Sequence, residues 1–382
     1  MKRVAVIGST GSIGENTLKV VAAAPERFEI VGLAAGTNYR RLAEQISAHQ
    51  PQVVSVCTEH EAGPLCALIG PDGPEVVSGE EGLCKVATIP EADVVVIAVA
   101  GAAALAPALA AVNAGKTVAL ANKECLVMAG GLIMEAAKKS GATILPVDSE
   151  HAAIFQALAG RPVAQVKRII LPASGGPFLD TPPPELERVT PEQAVKHPTW
   201  PMGRKISVDS ATLMNKALEI IEAHWLFGLP PEKIEVVIHP EAIIHGMVEF
   251  DDGSVVAQMS VPDMRLPILH ALAWPERIAA GMPRLDLPEL GRLTFRRLDP
   301  SRFPAPGLAY QALKMGGDAP AVLAAADEAA IAAFLSGRIP FTRIVPLVAS
   351  VLDSHTPAPV TTIQDTKRAD ARAREQVRRA IQ

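Results

Sequence analysis

The chain has 382 residues, 49% of them hydrophobic, enough for a large core and two or three domains. Lysine and arginine number 36 against 41 acidic residues, and the net charge of -5 gives no reason to expect a nucleic acid or an anionic membrane as partner. Cys57, Cys66, Cys84 and Cys125 form no C-x-x-C pair and read as reduced thiols of a cytoplasmic protein; no apolar run suits a membrane span, and a strand starts too early to leave room for a targeting segment.

Residues 3–7, 29–34, 53–56, 93–99, 117–121 and 143–147 are β-rich runs alternating with helical segments, which predicts an α/β region built on a parallel sheet. Val94, Val95, Val96 and Ile97 are apolar in succession, so their strand should be buried on both faces. After the first run comes G-S-T-G-S-I-G, with Gly8, Gly11 and Gly14, opening a helix that lasts to about Ala24. Such glycines let a backbone approach a pyrophosphate, whose charge the free N–H groups of the helix start stabilise; a plain turn is the blander reading. After the second run the segment from Ala34 to Arg41 holds no acid but two arginines, Arg40 and Arg41. A ribose 2′-phosphate would be welcome there, favouring NADPH over NADH, unless the arginines only begin a solvent-facing helix.

Asp148 and Glu150 lie just past the run ending at 147, where ligands of open α/β sheets gather. In an extended segment they would point to one side and suit a hard cation, Mg²⁺ or Mn²⁺; alternatively one of them caps a helix from His151. Residues 172–202 break the alternation and mark a second domain. Within it Ser174, Gly175 and Gly176 offer a hydroxyl and backbone N–H groups to a phosphate, or form a simple turn. Residues 197–205, with Pro198, Trp200, Pro201 and Gly203, form a loop that closes over a substrate or stays static.

A single helix is expected over 210–227. Leu213, Ala217, Ile220, Ile221 and His224 make an apolar stripe, and Thr212, Asn215, Lys216 and Glu219 a polar one. The polar stripe is either a solvated face with a Lys–Glu pair or a functional face on which Glu219 completes a metal site while Asn215 and Lys216 hold substrate oxygens. A hairpin follows, 246–250 and 254–260, turning through Asp251, Asp252 and Gly253. Residues 276–307 resemble a connector, and from Leu308 the chain reads as helical, with breaks at 316–317, 337–340 and 355–359. The charge-rich last helix reads as a solvated face with internal ion pairs.

Five strings, G-S-T-G-S-I-G from Gly8, A-N-K-E from Ala121, P-V-D-S-E from Pro146, A-S-G-G-P-F from Ala173 and the run from His197 to Glu219, resemble in order and spacing the 1-deoxy-D-xylulose 5-phosphate reductoisomerase family over essentially the whole chain. The resemblance implies a Rossmann-type N-terminal domain (1–147) for NADPH, an α+β catalytic domain (148–275) with metal site and lid, a linker (276–307) and a C-terminal helical bundle (308–382), usually as a homodimer. It implies conversion of 1-deoxy-D-xylulose 5-phosphate to 2-C-methyl-D-erythritol 4-phosphate, in the non-mevalonate route to isoprenoid precursors.

Carried over by position, Asp148, Glu150 and Glu219 would bind the divalent cation. Ser174, His197, Ser210, Asn215 and Lys216 would hold the substrate phosphate, with Ser149 and Lys123 at the reacting end. Thr10, Gly11, Ser12, Ile13, Gly36, Asn38, Asn122, Glu124 and Gly203 would contact NADPH. Two positions depart from the family pattern: Thr37 stands where lysine is frequent beside the adenosine phosphate, and Pro201 where serine is frequent in the lid. The rival classes are a semialdehyde dehydrogenase, for which Cys125 is the candidate nucleophile, and a non-catalytic NADP sensor.

Overall fold

The computed structural model describes residues 1–196 and 203–382. The chain divides into two compact units: Met1–Cys125, Ile133–Ala152 and Asp263–Pro283 form the first, and Leu126–Leu132, Ala153–Pro262 and Arg284–Gln382 the second.

In the first unit, strands β1 (Lys2–Ile7), β2 (Phe28–Ala34), β3 (Val53–Val56), β4 (Glu75–Ser78), β5 (Val94–Ile97), β6 (Thr117–Leu120) and β7 (Thr143–Pro146) build a seven-stranded sheet, ordered β4-β3-β2-β1-β5-β6-β7. All its pairings are parallel. β5 lies between β1 and β6 with all its residues buried, as its unbroken apolar run demands. β4 was not expected: its four residues pair on one side only, none is fully buried, and two of the four are polar, so they carry little apolar signal. Helix Arg265–Ala273, well after the start of the second unit, packs against helix Ser12–Ala23 and against β6 and β7. Lys2 Nζ donates to the carbonyl of Leu272 at 3.1 Å, tying this segment to β1.

In the second unit, β8 (Val166–Ala173), β9 (Ile234–Ile238), β10 (Ile244–Phe250), β11 (Val255–Met259) and β12 (Arg296–Arg297) form a mixed sheet ordered β11-β10-β8-β9-β12. β10 and β11 are the expected hairpin, and Gly253 at its turn has φ 83°, a conformation that favours glycine. Helices Ala305–Met315, Ala319–Leu335, Ile344–Asp353 and Ile363–Ile381 follow, with the breaks where glycine and proline placed them. Helix Ala319–Leu335 packs against the other three; its run of buried alanines permits close approach. On the last helix, Arg374 pairs with Asp370 at 2.7 Å within the helix and with Glu328 at 2.6 Å across to Ala319–Leu335, while Ala369, Ala373 and Val377 are buried.

The single helix expected over 210–227 is two helices, Arg204–Thr212 and Met214–Phe227. Between them Leu213 sits at φ 58°, left-handed, at a cost of about 1–2 kcal/mol for a non-glycine residue. The Thr212 hydroxyl donates to the Val208 carbonyl at 3.1 Å and accepts from the Met214 N–H at 3.2 Å, supplying the hydrogen bonding a continuous helix would have given. Leu213 itself is buried, which offsets the strain.

The cysteines are free thiols, with Cys125 buried. Among the described residues no helix is long and apolar enough to cross a membrane.

Candidate functional site

In the first unit the glycine-rich turn leaves β1 and enters helix Ser12–Ala23. The N–H groups of Gly8 and Ser9 both donate to the Ala34 carbonyl at the end of β2, each at 2.8 Å. Gly8 has φ 96°, and a side chain there would lie 2.7 Å from the Ala98 backbone beyond β5. A Cβ on Gly14 would overlap the Gly8 carbonyl oxygen and the Ser9 backbone. The turn is thus pressed into the place where strand order reverses around β1, the crevice in which open α/β sheets hold nucleotides. Gly11 is the N-cap of the helix, and Thr10, Ser12 and Ile13 lie on either side of it.

A polar network absent from the sequence reading braces this turn. Gln45 Nε2 donates to the Ser9 carbonyl at 3.0 Å and to Glu15 Oε1 at 2.9 Å, and Glu15 receives Arg41 Nε at 2.6 Å. The Arg41 guanidinium holds the Glu15 carboxyl below its ordinary range. Arg41 is therefore a bracing residue, committed to Glu15 and Glu44. Arg40 is exposed over the Tyr39 ring, 5.6 Å from its centroid. Gly36 and Asn38 follow β2; Asn38 Oδ1 accepts from the Arg41 N–H at 3.2 Å and caps helix Tyr39–His49. No local signal joins Glu15 to Arg41 or Gln45, since the contacts span turns of different elements.

Beyond β6, Asn122 caps helix Lys123–Ser140. Its Oδ1 accepts from the Cys125 N–H at 2.7 Å and its Nδ2 donates to the Val99 carbonyl at 2.8 Å, stitching the loops after β5 and β6 together. Lys123 and Glu124 open the helix. Lys123 is buried, and its Nζ lies 2.6 Å from Asp148 Oδ2 beyond β7. The extended geometry expected from Asp148 to Glu150 is not found: helix Ser149–Leu158 starts at once, the Asp148 carbonyl accepting from the Ala152 N–H at 2.8 Å. The carboxylates are gathered by a helix start, where unsatisfied N–H groups favour negative charge, rather than by strand alternation. Ser149 donates to the Glu150 carboxylate. His151, read from the sequence only as the start of a helix, is fully buried with Nδ1 4.0 Å from Asp148 Oδ2.

In the second unit, Ser174, Gly175 and Gly176 follow β8. The Ser174 hydroxyl accepts from the Gly176 N–H at 3.2 Å, and Gly176 has φ 68°. A Cβ on Gly176 would lie 2.7 Å from the carbonyl oxygen of Ser210, so this loop and helix Arg204–Thr212 meet backbone to backbone. On the expectation that Ser174 and Ser210 hold a phosphate, Gly176→Ala, which would force this loop off helix Arg204–Thr212, is expected to raise KM for a phosphorylated substrate about tenfold with cofactor affinity kept, read by steady-state kinetics and NADPH titration. Asn215, Lys216 and Glu219 share one face of helix Met214–Phe227, with Lys216 and Asn215 both donating to the Glu219 carboxylate. Lys216 and Glu219 are buried, which overturns the solvated alternative for the polar stripe; Thr212, in the preceding helix, is not part of it. Gly203 is the exposed N-cap of helix Arg204–Thr212. His197 and Pro201 lie outside the described residues.

Comparison with known proteins settles the family. Models described as 1-deoxy-D-xylulose 5-phosphate reductoisomerase, its C-terminal domain, and DXP reductoisomerase C-terminal domain match residues 4–130, 144–227 and 259–376. A 1-deoxy-D-xylulose 5-phosphate reductoisomerase of Anaeromyxobacter dehalogenans is 53% identical over 381 residues, covering 100% of this chain and 97% of its own. The chain belongs to the 1-deoxy-D-xylulose 5-phosphate reductoisomerase family. The reductoisomerase of Chlorobaculum tepidum is 52% identical over 381 residues and covered in full. Among solved structures, a reductoisomerase from Zymomonas mobilis in complex with NADPH superposes with a TM-score of 0.94 at 43% identity, covering 100% of this chain and 99% of that one. A reductoisomerase in complex with NADPH, fosmidomycin and magnesium gives 0.92 at 39%, covering 100% and 98%. The α/β reading with a Rossmann-type first part, a second sheet and terminal helices is that of this reductoisomerase family.

Proposed function

We infer that this chain converts 1-deoxy-D-xylulose 5-phosphate into 2-C-methyl-D-erythritol 4-phosphate at the expense of NADPH and with a divalent cation, serving isoprenoid precursor synthesis. Full-length likeness to named reductoisomerases carries this reading. The solved relative holding NADPH, fosmidomycin and magnesium supports the same cofactor and cation here. The rival dehydrogenase needs an accessible thiol, and Cys125 is buried.

The donor chemistry fits a hard cation: Asp148, Glu150 and Glu219 offer oxygen only, in positions sheltered from solvent. We assign the cation to these three carboxylates; when bound it polarises the ketone and neighbouring hydroxyl oxygens of the substrate as a Lewis acid. Lys123, whose Nζ lies 2.6 Å from Asp148 Oδ2, holds that carboxylate in place and offers an ammonium proton to oxygen at the reacting end beside Ser149. Ser174, Ser210, Asn215 and Lys216 receive the phosphate, with His197 helping as the lid closes; binding energy from this remote group aligns the reacting carbons. Thr10, Gly11, Ser12, Ile13, Gly36, Asn38, Asn122, Glu124 and Gly203 hold NADPH, whose nicotinamide delivers the hydride. With Thr37 in place of a frequent lysine, we assign Arg40 to the adenosine phosphate, because Arg41 is spoken for by Glu15.

The same reading divides labour among residues 1–147 for NADPH, 148–275 for metal, substrate and lid, 276–307 as linker and 308–382 as a helical domain. It includes use of manganese as well as magnesium, a cytoplasmic setting and a homodimer. The first test is NADPH oxidation by the purified protein with 1-deoxy-D-xylulose 5-phosphate and Mn²⁺, with and without EDTA. Substrate-dependent oxidation abolished by the chelator is expected; no oxidation by folded protein would leave only a nucleotide-binding fold.

A further inference from the structure

Helix Ala319–Leu335 is built almost wholly of apolar residues, yet it carries Asp327 at 0% exposure. Facing it from helix Arg204–Thr212 are Lys205, whose Nζ lies 3.3 Å from Asp327 Oδ2 and 2.8 Å from Asp209 Oδ2, and Asp209 itself, 1% exposed. Two buried carboxylates around one ammonium are poor stabilisers, because each ion loses its hydration. An apolar residue at 327 would pack as well and avoid that loss. Burial, and then the charge of Asp209, push the Asp327 carboxyl well above the usual carboxylate range.

Such a cluster specifies an arrangement rather than adding stability. Lys205 and Asp209 stand one turn apart on the same helix face, so fixing both fixes the rotation of helix Arg204–Thr212 about its axis. Ser210 follows Asp209 directly, and its carbonyl is the atom against which the Ser174–Gly176 loop is seated. We propose that Asp327, acting through Lys205 and Asp209, is a positioning residue for the substrate's phosphate: it locks the helix that presents Ser210 to that group. The proposal rests on the reading of Ser210 as a phosphate ligand.

Asp327→Leu, Asp327→Asn and Ser210→Ala test it in the full-length enzyme, by steady-state kinetics with 1-deoxy-D-xylulose 5-phosphate, competitive inhibition by inorganic phosphate, and NADPH titration. Asp327→Leu is expected to raise both KM and the phosphate inhibition constant about tenfold, with kcat within about threefold and NADPH affinity unchanged. Asp327→Asn, of the same shape and able to hydrogen bond to its neighbours, should restore both constants to within about twofold. The proposal is overturned if Asp327→Leu leaves both constants unchanged while Ser210→Ala raises them, or if it depresses kcat and NADPH affinity alike, as general loosening would. If Ser210→Ala changes neither constant, the phosphate role of Ser210 fails first and the proposal with it. Should Asp327→Leu not fold, Lys205→Met removes the same tether from its less buried end and must raise KM and the phosphate constant in the same way.

Discussion

Glu219→Gln is expected to lower metal-dependent kcat by about a thousandfold or more, roughly 4 kcal/mol of transition-state stabilisation, while NADPH affinity stays within about twofold. Glu219 is fully buried, and its carboxylate already collects Lys216 and Asn215 from its own helix. Glutamine keeps the volume and one carbonyl oxygen but removes the charge that both an ammonium and a divalent cation require. Leaving Lys216 without its carboxylate also destabilises the helix face, so a thermal melt accompanies the kinetics to separate unfolding from lost turnover. Mn²⁺ titration decides the matter: wild-type turnover at low Mn²⁺ would remove Glu219 from the cation's ligands.

The second large effect belongs to the glycine-rich turn. Gly14→Ala places a Cβ into the Gly8 carbonyl oxygen and the Ser9 backbone, atoms that have no flexible end to swing away. The turn must therefore open, carrying Gly11 and Ser12 with it. A fall in NADPH affinity of about a hundredfold is expected in a fluorescence titration, with far-ultraviolet circular dichroism retained because the strands are unaffected. Gly11→Ala supplies the contrast, since its Cβ would meet only the Gly8 oxygen at 3.4 Å, an ordinary contact, and should weaken NADPH binding far less. Equal losses in the two variants would show that turn chemistry, not backbone overlap, dominates.

What the chain could say locally, it said well. The parallel strands of the first unit, the Asp-Gly hairpin turn and the interruptions of the terminal helices are set by apolar runs, φ preferences and the missing N–H of proline, all properties of neighbouring residues. The pattern of motifs also pointed to the family, because chemistry-bearing residues such as Asp148, Glu150, Asn215, Lys216 and Glu219 keep fixed spacings.

Other features depend on contacts that no window of sequence contains. The left-handed break at Leu213 is favoured only because burial of that side chain and the Thr212 hydroxyl offset its strain, so helical periodicity ran straight through it. β4 exists because β3 offers it a hydrogen-bonding edge, not because its own four residues are strongly apolar. The pairing of Asp148 with Lys123 required β6 and β7 to lie side by side, and the brace from Arg41 and Gln45 to Glu15 required β1 and β2 to do so. Asp327 reads as a stray acid in an alanine helix until Lys205 and Asp209 are placed opposite it. The sequence by itself determined most of the elements and the turn chemistry, since these follow from short-range sterics and residue type. Tertiary structure decided which charges are buried and what each one faces, because desolvation and Coulomb energies depend on neighbours brought together only when the chain has folded.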